Sequence, residues 1–330
     1  MPAVAGIPDT ILIAPDSFKG TFSSFEVASA IGAGLSAVGW EVDLCPVADG
    51  GEGTLEVLRD ALGAAIVTAP ATDPLGSRIE TTFGLGGKTA IVATAAASGL
   101  GLIAPSERDP IGASTFGTGE LISAAIDAGA KTVYLGVGGS GTTDGGVGAV
   151  RAIRAGGGVR GARLIVLCDV RTPFEEAARV FGPQKGADAS QVGQLTKRLH
   201  VIARRLERDP RGMPMTGAAG GLSGGLWAAL DAELVPGASF VLDALEFDRR
   251  MRAARAVVTG EGKLDLQSLA GKVISEVATR TRQSGVPCHA VVGMRELDSF
   301  GVRILDLQAV LEATTLEKLE EAGRRLAQLI

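Results

Sequence analysis

Aromatic side chains are scarce in this 330-residue chain, at 4%, which leaves little material for a base-stacking platform. Positive charge is not in excess either. Lys and Arg number 32 against 37 Asp and Glu, a net charge of −5, so the chain carries no electrostatic footprint for nucleic acid. Two histidines are too few for a histidine-based metal cluster. His200 falls in a basic amphipathic stretch and His289 in the apolar run PCHAVVG, and both read as structural. The cysteines Cys45, Cys168 and Cys288 are odd in number, far apart and preceded by apolar residues. That pattern fits buried reduced thiols of a cytoplasmic protein and not a disulfide framework or a metal site. No apolar run reaches the roughly 18 residues of a membrane span. The opening MPAVAGIPDT has no basic region followed by an apolar stretch, so no signal peptide is expected.

Glycine, by contrast, is abundant: 47 residues, about twice the usual share. The glycines cluster at the ends of apolar runs, where backbone turns sharply or approaches a ligand closely. The chain is too long for one ordinary core and fits two domains. Its start alternates strand and helix: ILIAPD (11–16), then 23–38 opened by Ser23 with Glu26 three positions on, then EVDLCPVAD (41–49), then 51–63 closed by Gly63. The Ser23–Glu26 spacing is that of a capping box, and strand–helix alternation is the mark of a parallel sheet.

The middle differs. SRIETTFGLGGKTAIVAT reads as an antiparallel hairpin, followed by a helix over about 117–129, strands at 132–139 and 162–170, a long helix at 192–208 and a glycine-rich entry to a helix at 217–234. RAVVTGEG (255–262), PCHAVVG and GVRILDL then read as strands again. The two chain ends are expected to build one sheet of about five parallel strands, with residues 73–249 inserted between 1–72 and 250–330.

Open parallel sheets bind ligands at the carboxyl ends of their strands. Asp16-Ser17-Phe18-Lys19-Gly20 follows the first strand, Asp49-Gly50-Gly51-Glu52-Gly53-Thr54 the second, and Thr259-Gly260-Glu261-Gly262-Lys263-Leu264-Asp265 the third. Each joins carboxylate, glycine and hydroxyl, and two add lysine. Glycines let backbone N–H groups face an anion, a helix N-terminus favours negative charge, lysine supplies a mobile cation and carboxylates suit Mg²⁺. One such loop is a common turn; three at equivalent places point to a phosphate site.

Two look-alikes are set aside. Gly136-x-Gly138-x-x-Gly141 lacks the acidic residue about 20 positions on that a dinucleotide site needs. Gly87-Lys88-Thr89 precedes AIVAT, which reads as strand, whereas a P-loop opens a helix. The densest polar loop is Gly138-Gly139-Ser140-Gly141-Thr142-Thr143-Asp144-Gly145-Gly146. It suits a small hydroxy acid, with Asp144 either accepting the hydroxyl proton or capping the helix that follows. Lys185, in FGPQKG, is either a phosphate contact or a solvated turn lysine, and Lys272 follows Gly271 at a helix start.

In this order the stretches APDSFKG, PVADGGEGT, ATDPLG, AASGL, GTGELI, GGSGTTDGG, CDV, FGPQKGA, GAAGGL and TGEGKLD, with Gln267 and Gly271-Lys272, resemble the bacterial glycerate kinase family over residues 11–293. The resemblance implies a flavodoxin-like domain interrupted by a second, mixed α/β domain, with the active site between them. It implies transfer of the ATP γ-phosphoryl group to D-glycerate with Mg²⁺, mostly giving 2-phosphoglycerate. On that basis Lys19 and Lys272 would neutralise phosphate, Asp49 and Glu52 would hold Mg²⁺, and Asp144 would be the base. Arg108 would clamp the substrate carboxylate through its bidentate fork. Asp16, Ser17, Gly20, Gly50, Gly51, Gly138, Gly139, Ser140, Lys185, Glu261 and Asp265 would line the substrate and phosphate sites. The family usually has Asn at Thr143, Glu at Ala93 and Asp at Arg255, and a longer stretch between Asp144 and Cys168. These departures motivate an alternative, a non-catalytic or altered-specificity member that binds glycerate or another small hydroxy acid.

Overall fold

The computed structural model describes residues 9–269 and 271–330. Among the described residues eleven strands run in chain order: β1 (Thr10–Pro15), β2 (Glu41–Leu44), β3 (Ala65–Thr72), β4 (Arg78–Gly86), β5 (Thr89–Ala93), β6 (Thr132–Gly136), β7 (Arg163–Leu167), β8 (Glu233–Val235), β9 (Ala256–Leu264), β10 (Cys288–Arg295) and β11 (Leu307–Glu312). The chain packs as two compact units. One comprises the described residues of Met1–Asp49 with Ala238–Ile330, the other Gly50–Gly237. The sequence pattern alone predicts breaks near 72/73 and 249/250.

The first unit holds a five-stranded, all-parallel sheet of order β11-β10-β9-β1-β2. Read from β2, that is the doubly wound order 2-1-3-4-5 of flavodoxin-like folds. Ile11, Ile13, Val258 and Val291 are buried among Val27, Ile31 and Leu35 of the Ser24–Ser36 helix. Ser23 caps that helix, and the reciprocal bond to Glu26 is present, as the spacing predicts. Arg255 stacks its guanidinium 5.5 Å from the Trp40 ring.

Two expectations fail in this unit. GVRILDL is not a strand: Ser299–Ile304 is a short helix, because the Asp298 side chain accepts from Gly301 N at 2.8 Å and starts it. The last strand therefore lies further on, at β11. The third glycine-rich segment, read as strand only as far as Gly262, stays strand beyond it. β9 outruns β1 and continues against β10 as far as Leu264 with Arg295, so Lys263 as well as Glu261 rides on a strand.

The second unit holds a six-stranded mixed sheet of order β3-β4-β5-β6-β7-β8. The predicted hairpin is β4–β5, turning at Gly87-Lys88. Strand β3 has no counterpart in the sequence reading. It pairs only with β4, and Pro70, which has no N–H to donate, is tolerated on such an edge.

Candidate functional site

The carboxyl ends of β1, β9 and β10 open into a cavity of about 480 Å³ in the first unit. Asp16, Ser17, Lys19, Glu261, Asp265 and Lys272 all line it, so six of the predicted residues meet at one place. Asp49 joins them through Lys19, whose Nζ lies 2.9 Å from its carboxylate. Gly20, at φ +77° with open space where a Cβ would stand, supplies the turn that brings Phe18 and Phe22 together. Lys272 is the N-cap of the Val273–Ser284 helix, where the unpaired N–H groups favour an anion. Phe18, Phe22, Lys263, Gly293, Met294 and Thr314 also line the cavity and were not foreseen as site residues. Gly293 was within reach of the strand-end rule, since it follows AVV. Thr314 was hidden by the misplaced last strand.

The electrostatics of this wall are unusual. Asp16 is 4% and Glu261 7% exposed. Burial, with the neighbouring Asp49 carboxylate, pushes Asp16 up to about 8. Burial likewise raises Glu261 to about 7. Lys19 is raised as well: its own desolvation opposes the shift, but the Asp49 and Asp16 carboxylates outweigh it. Asp16 accepts one bond, from Ser17 N at 2.7 Å. Glu261 Oε1 and Ser17 Oγ are buried with no partner. Buried polar atoms in native proteins are nearly always satisfied, so this wall is built for something that joins it. The donors are oxygen only, which suits a hard cation such as Mg²⁺. Of the expected magnesium pair, Asp49 is held by Lys19 and Glu52 is an exposed residue of the second unit. Among the described residues no three acidic, imidazole or thiol side chains group closely enough to cage a metal by themselves.

The second unit carries the Gly138–Gly146 loop. Asp144 is 2% exposed. Its two oxygens accept from Thr115 N at 2.9 Å, Thr115 Oγ1 at 2.9 Å, Gly146 N at 3.0 Å and Gly148 N at 3.1 Å, with Ser114 Oγ at 3.4 Å. It thereby ties together the starts of the Phe116–Asp127 and Val147–Ala155 helices. Both oxygens are engaged by donors, which is the bonding of a helix-capping carboxylate.

Lys185 is not a solvated turn residue: it is 3% exposed and its Nζ donates to Thr142 O. Burial lowers it to about 7, against the attraction of Asp144. Gly50 and Gly51 do not form an open cradle. A Cβ on Gly50 would lie 2.5 Å from Leu167 O, and one on Gly138 2.2 Å from Gly51 Cα, so these glycines permit close backbone packing. Gly139 O accepts from Leu100 N, and Ser140 Oγ pairs with Thr142 Oγ1 at 3.0 Å. Two groups stay ready for a ligand. Thr143 Oγ1 and Arg108 Nε are buried without partners, and the Arg108 side chain passes beside Gly186, next to Lys185.

Comparison with known proteins agrees with these motifs. The sequence pattern described as the glycerate kinase family matches residues 11–158 and 155–330. The two stretches overlap at residues 155–158. The chain is 38% identical to a glycerate kinase of Halalkalibacterium halodurans, over 86% of this chain and 85% of that protein. It is 37% identical to the glycerate 2-kinase of Escherichia coli, over 95% and 93% respectively. A crystal structure from Salmonella typhimurium LT2, named for glycerate kinase 2, matches with TM-score 0.80 and 34% identity over 98% of both chains.

Proposed function

The chain belongs to the glycerate kinase family, and from that membership we propose that it transfers the γ-phosphoryl group of ATP to D-glycerate, giving 2-phosphoglycerate or its 3-isomer. It is a kinase. The observation that carries the specific reading is the cavity at the ends of β1, β9 and β10, where Lys19, Lys272, Asp16 and Glu261 converge beside buried oxygens that lack partners.

Phosphoryl transfer asks little covalent chemistry of a protein; it asks for position and charge neutralisation. Lys19 and Lys272 place ammonium groups where phosphate oxygens would lie. The N–H groups at the start of the Val273–Ser284 helix add partial positive charge. Mg²⁺, when bound, neutralises phosphate oxygens that bear the developing charge, and the acidic wall fits such an ion. In the second unit, Arg108 and Lys185 are the cations suited to the glycerate carboxylate, with Thr143 Oγ1 and Ser140 as hydroxyl contacts. Asp144 holds this loop in shape. The three cysteines are free and buried, and no helix among the described residues is long and apolar enough to cross a membrane. Both fit action in the cytoplasm on small molecules.

The test is a coupled assay for ADP release from ATP, Mg²⁺ and D-glycerate. Glycerate-dependent release is expected, and Lys19→Met should cut kcat by at least about a hundredfold. Phosphorus NMR of the product separates the 2- from the 3-phosphate. Glycerate binding by calorimetry without ADP release would mean a non-catalytic binder. Faster turnover of glycolate, lactate or tartrate would mean a drifted acceptor, which the loss of the family's usual Asn at Thr143 makes the specific second reading.

A further inference from the structure

We propose that Asp16, Glu261 and the Ser17 hydroxyl form a divalent-cation site of magnesium type on the wall of the first unit's cavity. The inference deepens the kinase reading and rests on it for the choice of ion. Three observations carry it. First, the register of β1 and β9 pairs Pro15 with Gly260, and Asp16 N donates to Gly260 O at 2.9 Å. Asp16 and Glu261 therefore leave adjacent strands side by side, roughly one interstrand spacing of about 4.8 Å apart. Second, both carboxylates and Ser17 are more than nine-tenths buried yet line the same open cavity. Third, Glu261 Oε1 and Ser17 Oγ have no hydrogen-bond partner, and Asp16 has one.

The lysines nearby do not close this gap. Lys19 is bonded to Asp49 at 2.9 Å, and Lys263 to Glu296 at 2.9 Å. Lys272 faces the cavity but makes no ion pair within 4 Å among the described residues. What the wall needs is therefore a ligand that accepts lone pairs from several oxygens at once, which is a cation. Only oxygen donors are present, which excludes the nitrogen and sulfur ligands that zinc favours. Two carboxylates and a hydroxyl are too few for the six to eight oxygens of a calcium cage, but they match magnesium, which keeps waters and takes one or two carboxylates with substrate phosphates. The site thus rests on residues other than the Asp49 and Glu52 expected from the sequence.

The test uses the full chain without nucleotide and Mn²⁺ as a spectroscopic stand-in for Mg²⁺. Electron paramagnetic resonance should count one bound Mn²⁺ that Mg²⁺ displaces. Asp16→Asn and Glu261→Gln should each weaken it at least roughly tenfold, since even outer-shell partners of a metal are worth that much. Glu52→Gln should change it less than about twofold. Thermal unfolding without metal guards against a folding artefact: the two variants should match or exceed the wild-type Tm, because each relieves a crowded pair of like charges. No bound Mn²⁺ in the wild type, or unchanged binding in both variants, overturns the site. Lost binding together with a lowered Tm assigns the carboxylates to the fold and overturns it too. Glycerate-dependent ADP release is read separately. Mn²⁺ held by these carboxylates without turnover removes the kinase reading and keeps the site; turnover without Mn²⁺ at them does the reverse.

Discussion

Asp16 and Asp144 are buried to nearly the same degree, at 4% and 2% exposure, yet they live in opposite circumstances. Asp144 is surrounded by five donors from two helix starts and its own turn. Asp16 has a single donor and two acidic neighbours, and burial holds its carboxyl far above the usual range. Burial alone therefore says nothing about role; the supply of hydrogen bonds does. A carboxylate whose lone pairs are all engaged belongs to the scaffold. One left short of partners beside a cavity belongs to a ligand. Individual glycines show the same kind of contrast. Gly220, Gly50 and Gly138 let backbones touch, whereas Gly20 turns in open space.

The largest expected effect sharpens that contrast. Asp144→Ala strips the partners from Thr115 N, Gly146 N and Gly148 N together. Breaking a buried charged network of this kind costs about 4 kcal/mol, which urea unfolding followed by circular dichroism would read. If Asp144→Asn instead kept full stability and lost only kcat, Asp144 would be a base after all.

Next in size is Gly220→Ala. A Cβ there would lie 2.1 Å from Thr142 O, at φ +67°. Overpacking against backbone that cannot yield, added to the left-handed strain, predicts a loss of about 3 kcal/mol. A variant as stable as the parent would show that the Thr142 loop can move, and would weaken the picture of a rigid second unit.

These contrasts also show what a sequence can disclose. Ser23 and Glu26 announce a helix start because a capping box is closed within four residues. The strand-end loops were legible because the alternation of strand and helix decides where carboxyl ends fall. Asp144 was not, since its decisive partner Thr115 lies 29 residues upstream. Lys185 was ambiguous for the same reason: its acceptor, Thr142 O, is 43 residues away. The misplaced last strand had a local cue that apolar pattern outweighed, the Asp298 cap three residues before Gly301. The missed β3 is a half-exposed edge strand containing Pro70, so it shows neither a buried run nor clean alternation. Glu261's unpaired oxygen has no sequence signature at all, because it records something absent from the surroundings.

A smaller effect separates the two units by pH. Lys185 has a folded pKa lowered from its ordinary value to about 7 by burial, with Asp144 opposing. Between that value and its unfolded one, the unfolded chain binds more protons than the folded chain, so this group makes stability rise with pH. Below about 7 the ammonium is buried and its cost is constant. Lys185→Met removes the titrating group. The stability of the wild type relative to Lys185→Met should therefore rise by about 2 kcal/mol between pH 6.5 and 9.5, partial relaxation around the amine reducing the full effect. A flat difference would mean that the amine is solvated in solution and not buried against Thr142 O.

The smallest effect tests the open glycine. Gly20 sits at φ +77° with nothing within 4 Å of the point a Cβ would occupy, so Gly20→Ala meets only backbone strain, about 1 kcal/mol. Because the same turn carries Lys19 into the cavity, the strain should appear in function before it appears in stability: KM for ATP should rise while Tm barely moves. In the second unit the order should be reversed, with Gly220→Ala lowering Tm first. A Gly20→Ala variant that lost stability as heavily as Gly220→Ala, with ATP handling unchanged, would erase the distinction between a turn shaped for a ligand and a glycine shaped for packing.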